Sequence, residues 1–264
     1  MTTTSYSSSS TTSNQLLYKL RDGRILSYEV YGDIENGIPV LFSHGLSDSR
    51  LLRHYDDELT KSLGVKIIAV DQPGVGKSTN VNYMRSERTL LNYAKDIEEL
   101  VDRLGIPKFA VAGHSGGGPH ALAIAYYMRE RVTNGVLAAP APPLDEDMIP
   151  GIIEAFNFPY AKLIIKFCQL FPLLIHLLCY PIAWWANYDL NGYIKSVAEN
   201  DRTNGNPETF YDNPKQTQVF VDSFTEGFAQ GPAGIRGMFQ VAILNSNGWG
   251  FDLRKDINHH SISS

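Results

Sequence analysis

The chain has 264 residues, of which 43% are hydrophobic and 19% charged, so most of it should fold into a globular core of one or two domains. Its formal charge of −5 argues against a nucleic-acid-binding protein, which usually shows a basic excess. The two cysteines, Cys168 and Cys179, cannot form a disulfide scaffold or a four-ligand zinc site. We expect them to be small core side chains.

The first fifteen residues have the composition of a disordered tail. Residues 1–15 contain eleven Ser or Thr and no charge, so they cannot bury enough apolar surface to become ordered. They lack the basic start and apolar stretch of a signal peptide, and the arginines of a transit peptide. We therefore expect a cytoplasmic protein.

From residue 16 to residue 143, predicted strands and helices alternate. In chain order they are two strands on either side of Asp22-Gly23, a strand over 38–42, a helix over 49–63, a strand over 65–70, a helix over 89–104, a strand over 109–112, a helix over 119–131 and a strand over 132–138. Apolar residues in the helix over 89–104 recur with a period of about 3.6, and Gly105 follows it. This alternation predicts a mostly parallel sheet covered by helices on both faces.

The strongest functional signal is the sequence GHSGG at residues 113–117, a G-x-S-x-G motif. It follows a predicted strand and precedes a predicted helix, which is the setting of a nucleophile elbow. In so sharp a turn, Gly113 and Gly117 omit the Cβ atoms that would collide with the strand and the helix. Ser115 is then left in a strained conformation with its Oγ exposed. The alternative is a glycine-rich turn with an incidental serine.

A second loop agrees with this interpretation. His44 and Gly45 follow the strand over 38–42, where a loop that binds an oxyanion would lie. Acyl transfer needs two donors aimed at the developing oxyanion, and the backbone N–H groups of Leu46 and Gly116 are the natural pair. The alternative for the His44 side chain is that it only shapes the loop.

Taken together, these motifs resemble those of the α/β-hydrolase superfamily. The resemblance runs from about residue 17 to residue 144, and again weakly over 249–257. Four motifs support the resemblance: the hairpin around Asp22-Gly23, Ser43-His44-Gly45, Asp71-Gln72-Pro73-Gly74-Val75-Gly76-Lys77-Ser78 and Gly113-His114-Ser115-Gly116-Gly117.

The resemblance implies an α/β-hydrolase fold with Ser115 as the nucleophile and no metal or organic cofactor. It makes Asp71 structural rather than catalytic. A serine at 115 argues against the members of the superfamily that use an aspartate nucleophile, the epoxide and haloalkane hydrolases. The residues that would shape the site are His44, Gly45, Gly113, His114 and Gly117.

The usual acid and histidine of a catalytic triad are not found. In the superfamily they follow the serine in chain order, near the last two strands. No apolar strand-like run follows Leu253, so we expect the sheet to lack those two strands. Three explanations stay open: a truncated form of a normal hydrolase, a substituted site in which Asp145 is the acid and His259 or His260 the base, or a non-catalytic relative that binds a partner.

Residues 144–245 resemble the helical cap of the superfamily. Their many aromatic side chains favour a small apolar acyl substrate over a sugar or a charged one. The stretch over 167–188 has 22 residues and no Asp, Glu, Lys or Arg. Two short helices broken at Pro172 and Pro181 are favoured there over contact with a membrane surface, and a membrane span is the least favoured reading.

These observations predict a division into four parts. They are a disordered tail over 1–15, an α/β-hydrolase core over 16–143, a helical cap over 144–245 and a C-terminal remnant of the core over 246–264. The expected activity is hydrolysis of an ester, thioester or amide of an apolar substrate through Ser115 and an acyl-enzyme. No nucleic-acid partner is expected.

Overall fold

The structure is a computed structural model that describes the following residues: 16–46, 48–52, 57–80, 89–143, 149–150, 170, 180–181, 184, 188–203, 212–230, 237 and 249–251. The predicted tail over 1–15 and most of the predicted C-terminal remnant lie outside these ranges. Most of the stretch over 167–188 does so too.

One six-stranded sheet forms the centre of the molecule, in the order β1-β2-β4-β3-β5-β6. The pairs β1–β2 and β2–β4 are antiparallel, whereas β4, β3, β5 and β6 run parallel to one another. The predicted, mostly parallel sheet with an antiparallel start is therefore confirmed. The strands are β1 (Leu16–Lys19), β2 (Ile25–Gly32), β3 (Ile38–Ser43), β4 (Val65–Val70), β5 (Phe109–His114) and β6 (Val132–Ala138).

Five helices accompany the sheet among the described residues. They are α1 (Asp57–Ser62), α2 (Leu90–Arg103), α3 (Gly118–Tyr127), α4 (Leu190–Thr203) and α5 (Pro214–Gly227). Helix α2 begins where its sequence predicts, because the Thr89 hydroxyl accepts a hydrogen bond from the Asn92 N–H at 3.0 Å and caps the first turn. The helices α4 and α5 lie in the region predicted as a cap.

The main apolar core lies between the sheet and the helices α2 and α3. Leu41, Ile68 and Val111 from the strands pack there against Ile97 and Ile124 from the helices. A smaller cluster of Tyr31, Phe42 and Ala69 belongs to the strands as well. Removal of these side chains from water is the main stabilising contribution, and it fixes β3 and β5 side by side.

The predicted helix over 49–63 is wrong in its first part. Residues 48–52 form turns, and the described helix is the short α1. Two backbone donors of this segment bind side chains that are distant in the sequence. The Ser49 N–H donates to Ser223 Oγ at 2.9 Å, and the Arg50 N–H donates to Asp71 Oδ1 at 2.6 Å.

The Arg50 side chain joins this turn to the sheet and to α5. It is 1% exposed, and its Nη1 donates to Asp71 Oδ2 at 2.5 Å and to Glu226 Oε1 at 2.7 Å. Asp71 follows β4, is fully buried and also accepts a hydrogen bond from Ser27 Oγ at 2.6 Å. Burial alone would lower the pKa of Arg50, but the two carboxylates outweigh that effect and raise it. The predicted structural role of Asp71 agrees with this arrangement.

Replacing Arg50 with methionine should destabilise the fold by about 3–5 kcal/mol, because the buried Asp71 carboxylate loses its cation. We expect a lower urea midpoint with an unchanged m-value. Arg21→Met is the matched control, since Arg21 is exposed and its pairing with Glu99 at 3.9 Å is of the surface kind worth about 0–1 kcal/mol. Equal midpoints for the two variants would contradict the central position of Arg50.

The outer edge of β6 pairs with no strand within the described part of the chain. Val136 on that strand is 66% exposed, and Leu137 is also exposed. An unpaired apolar edge can template association with another chain. The predicted absence of two further strands stays a prediction, because residues 252–264 lie outside the described residues.

Val136→Lys should suppress concentration-dependent association, because a charge on an edge strand opposes pairing with a second edge. Light scattering over a concentration series measures the effect. Leu63→Lys is the control, since Leu63 is also 66% exposed but lies beyond the end of α1 and not on the sheet edge. An equal effect of both variants would mean that general surface hydrophobicity, not the β6 edge, drives association.

Candidate active site

Ser115 lies directly after β5, at the start of a single 3₁₀ turn that leads into α3. Its φ angle is +48°, in the left-handed region that a residue with a Cβ seldom adopts. The carbonyl of Ser115 accepts a hydrogen bond from the Ala141 N–H at 2.9 Å, which ties the turn to the segment after β6. The side chain is half-buried. The strained conformation expected of an elbow serine is present.

Two glycines make room for this turn. A Cβ on Gly113 would lie 2.8 Å from the carbonyl oxygen of Gly117 and 2.9 Å from Cβ of Ala121 on α3. A Cβ on Gly117 would collide with the backbone carbonyls of Ser43 and His44 at the end of β3. The predicted reason for these glycines is confirmed, and the strand that Gly117 approaches is β3.

The His44 side chain is buried and both of its ring nitrogens are engaged. Nε2 accepts a hydrogen bond from the Gln72 backbone N–H at 3.1 Å, and Nδ1 lies 2.9 Å from the Gly45 carbonyl oxygen. These partners assign the proton to Nδ1. The Gln72 amide in turn donates to the His44 carbonyl at 2.8 Å. This arrangement supports the loop-shaping role of His44, because neither nitrogen remains for proton transfer.

Gly45 is the point at which the loop after β3 meets the elbow. A Cβ placed on Gly45 would lie 2.8 Å from Asp48 Oδ2, 3.1 Å from His114 Nδ1 and 3.3 Å from Ser115 Cβ. Three side chains therefore converge on the space that this glycine leaves open. The backbone of Leu46, the predicted oxyanion donor, follows directly.

Asp48 is a residue of this site that sequence reasoning missed. Its carboxylate is largely buried and lies 3.8 Å from Nδ1 of His114. The interaction with Asp48 raises the pKa of His114, against the partial burial that lowers it. The sequence contains one weak signal for it: Asp48 is an acidic residue four positions after His44, in the loop predicted to bind the oxyanion.

Two helices of the predicted cap approach the same loop. Tyr193 on α4 packs against Phe224 on α5, with ring centroids 5.6 Å apart. Burial, and then the negative charge of Asp48, raise the pKa of Tyr193. Since Ser223 on α5 also accepts a hydrogen bond from the Ser49 N–H, the predicted cap contacts the loop after β3.

Other predicted residues are placed as follows. Gly116 is buried in the turn after Ser115, and Leu46 is exposed. His120 is packed within α3, where its Nδ1 lies 3.2 Å from the Gly116 carbonyl oxygen, and it plays no visible part in the site. Asp145, His259 and His260 lie outside the described residues, so their proposed roles stay predictions.

Neither a metal-binding cluster nor a membrane-spanning helix is present within the described ranges. No group of three His, Cys, Asp or Glu side chains there is arranged to hold a metal ion. No described helix combines the length and the apolar character that crossing a membrane requires. Trp184 and Tyr188 are exposed and stacked, with centroids 5.3 Å apart. Membrane-surface contact through 167–188 stays a prediction.

A family model described as alpha/beta hydrolase fold matches residues 38–161, which include β3, the elbow and β6. This match covers just under half of the chain, and the chain has the α/β-hydrolase fold. The order of β3, the loop at Gly45, β5 and the turn at Ser115 is the order that the sequence predicted.

Individual relatives cover only part of the chain. A non-heme haloperoxidase of Rhodococcus erythropolis is 34% identical over 130 residues, which are 47% of this chain and 43% of that protein. The bifunctional esterase/perhydrolase DCH of Acinetobacter calcoaceticus is 31% identical over 127 residues, 47% of this chain and 44% of that protein. The aligned part thus spans less than half the length of these relatives.

A solved structure extends the likeness over most of the chain. The epoxide hydrolase CorEH has a TM-score of 0.59 with 21% sequence identity, and the match covers 92% of this chain and 75% of that one. At this identity the likeness establishes the fold, and the reaction has to be argued from the site.

Replacing Ser115 with glycine should raise the stability by about 1 kcal/mol, because glycine adopts the left-handed conformation without the steric penalty of a Cβ. Ser115→Ala keeps the Cβ and should stay close to the wild type. Both variants lack the hydroxyl, so the difference between their thermal midpoints isolates the backbone conformation. A glycine variant no more stable than the alanine variant would show that the turn stores no strain.

Proposed function

We propose that the protein is a serine hydrolase that cleaves an ester, thioester or amide of an apolar substrate through an acyl-enzyme. The observation that carries the proposal is the conformation of Ser115, a left-handed non-glycine residue at the carboxyl end of a central parallel strand. Strain of this kind persists only where the surrounding structure enforces it, and it concentrates at functional sites. The half-buried side chain is the one hydroxyl that the elbow presents.

The proposed reaction starts with attack of Ser115 Oγ on the acyl carbon. The bond to the leaving group breaks as the tetrahedral intermediate collapses, and water then releases the acyl group from Oγ. The backbone N–H groups of Leu46 and Gly116 would hold the negative oxygen of each intermediate. Their support is the contact of the Gly45 loop with the elbow, since Cβ of Ser115 lies 3.3 Å from the Cβ position of Gly45.

The proton of Oγ has to pass to a base. The described ranges contain three histidines: His44 has both ring nitrogens engaged, His120 is buried in α3, and His114 has its Nδ1 3.8 Å from the Asp48 carboxylate. We therefore keep His259 and His260 as candidates for the base and Asp145 as a candidate for the acid. A base would take the proton from Ser115 during attack and return it to the leaving group.

The residue at 115 favours this reaction over those of some relatives. The matched proteins include a haloperoxidase, an esterase/perhydrolase and an epoxide hydrolase, so similarity alone does not choose among reactions. A serine hydroxyl forms an acyl ester and needs oxyanion donors, which the Gly45 loop and the turn at Gly116 would supply. The aromatic side chains of Tyr193 and Phe224 favour an apolar acyl group.

An active-site fluorophosphonate probe should modify Ser115 faster than an ordinary serine. Without an identified base, oxyanion donors and binding alone leave an acceleration on the order of 10³-fold. Mass spectrometry of the modified peptides gives the labelling rate, with the exposed Ser62 as the internal reference. Ser115→Ala should abolish the fast labelling, whereas Ser62→Ala should not. If Ser115 in the folded protein is labelled no faster than Ser62, the hydrolase proposal is wrong, and the alternative of a non-catalytic relative that binds a partner is favoured.

A further inference from the structure

An acidic and a basic side chain meet beside Ser115 and have no part in the reaction proposed above. Asp48 is 6% exposed, whereas the side chain of His114 is 40% exposed. The atoms Asp48 Oδ2 and His114 Nδ1 are 3.8 Å apart. This distance is longer than a well-formed hydrogen bond, and a small rotation of the imidazole would close it.

The pair joins two backbone segments that are far apart in sequence. Asp48 belongs to the loop after β3, and His114 is the last residue of β5. They reach each other because Gly45 has no side chain: its Cβ position lies 2.8 Å from Asp48 Oδ2 and 3.1 Å from His114 Nδ1. The first segment carries the Leu46 N–H and the second leads directly to Ser115 and Gly116.

We propose that Asp48 and His114 form a clasp that holds the loop of Leu46 against the elbow and so fixes the spacing of the two oxyanion donors. The clasp rests on the proposed serine chemistry. Both residues are positioning residues, because they act through the backbone of Leu46 and Gly116 and not on the reacting atoms. Oxyanion donors need such support, since their effect depends on their placement before the reaction begins.

The burial of Asp48 makes this pair stronger than a surface ion pair. A surface pair contributes little because water and salt screen it. Within the described residues, His114 is the one basic side chain that lies within 4 Å of the Asp48 carboxylate. Among the described residues, this imidazole is therefore the group that compensates the charge of the carboxylate.

The clasp should also depend on pH. The interaction with Asp48 raises the pKa of His114, partly opposed by burial. Other titratable groups nearby are Tyr193 on α4, which senses the charge of Asp48, and Arg50, whose charge Asp71 and Glu226 offset. Because the folded-state pKa of His114 is raised, the attraction is full at low pH and is lost as the pH rises through that pKa.

Two variants of His114 separate positioning from proton transfer. His114→Ala removes the clasp, and we expect the fluorophosphonate labelling rate of Ser115 to fall about tenfold. His114→Gln keeps an N–H donor that can reach Asp48 but does not titrate. It should restore most of the rate, and the ratio of wild-type to glutamine rates should decline as the pH rises through the His114 pKa.

A second measurement does not depend on activity. An NMR titration of the imidazole resonances gives the pKa of His114 in the full chain. Asp48→Asn should lower that pKa toward the ordinary value of about 6.5. The matched control is Asp102→Asn, since Asp102 is an exposed carboxylate that pairs with Arg131 and should leave His114 unchanged.

The two measurements have distinct outcomes. If the wild type does not label at Ser115, the proposed function fails, while the NMR titration still tests the pair. The clasp itself is overturned if Asp48→Asn leaves the His114 pKa unchanged, or if His114→Ala labels at the wild-type rate. It is also overturned if His114→Gln is as slow as His114→Ala at every pH, because the imidazole would then act in proton transfer.

Discussion

The buried guanidinium of Arg50 is the contact on which the arrangement of sheet, loop and insertion depends. It bonds to Asp71 at the end of β4 and to Glu226 at the end of α5, and its own backbone N–H binds the same aspartate. A buried cation between two carboxylates has no good alternative position, because each group would be left with an uncompensated charge. The loop after β3 is thereby held both by the backbone N–H of Arg50 and by its guanidinium group.

This fixed loop explains why the elbow can be so compact. Between the anchored residue Arg50 and the end of β3 there are few residues, and Gly45 among them lies against Ser115. Gly113 and Gly117 let the turn sit between β3 and α3 without collision. The two features are complementary. The glycines let the backbone segments approach each other, and the buried ion pairs of Arg50 keep them in that position.

The predicted cap is joined to the core beside the elbow. Helix α5 is bound to the core by polar contacts, among them the hydrogen bonds of Ser223 with Ser49. Tyr193 on α4 packs against Phe224 of this helix. In the proposed function, the core would supply the chemistry and the insertion the choice of substrate, which is consistent with the different reactions of relatives that share the fold.

The sequence by itself determined the sheet and the elbow, because both are local patterns. The turn signal at Asp22-Gly23 predicted the first two strands and short apolar runs predicted the other four. A serine between glycines after one of these runs predicted the strained turn at Ser115. Only the tertiary structure decided the rest. Residues 48–52 are not helical, since the N–H groups of Ser49 and Arg50 bind Ser223 and Asp71, which are distant in the chain. Asp48 and His114 likewise meet only when β3 and β5 pair. They are 66 positions apart in the sequence, so no local pattern could predict that this carboxylate and this imidazole lie together beside Gly45.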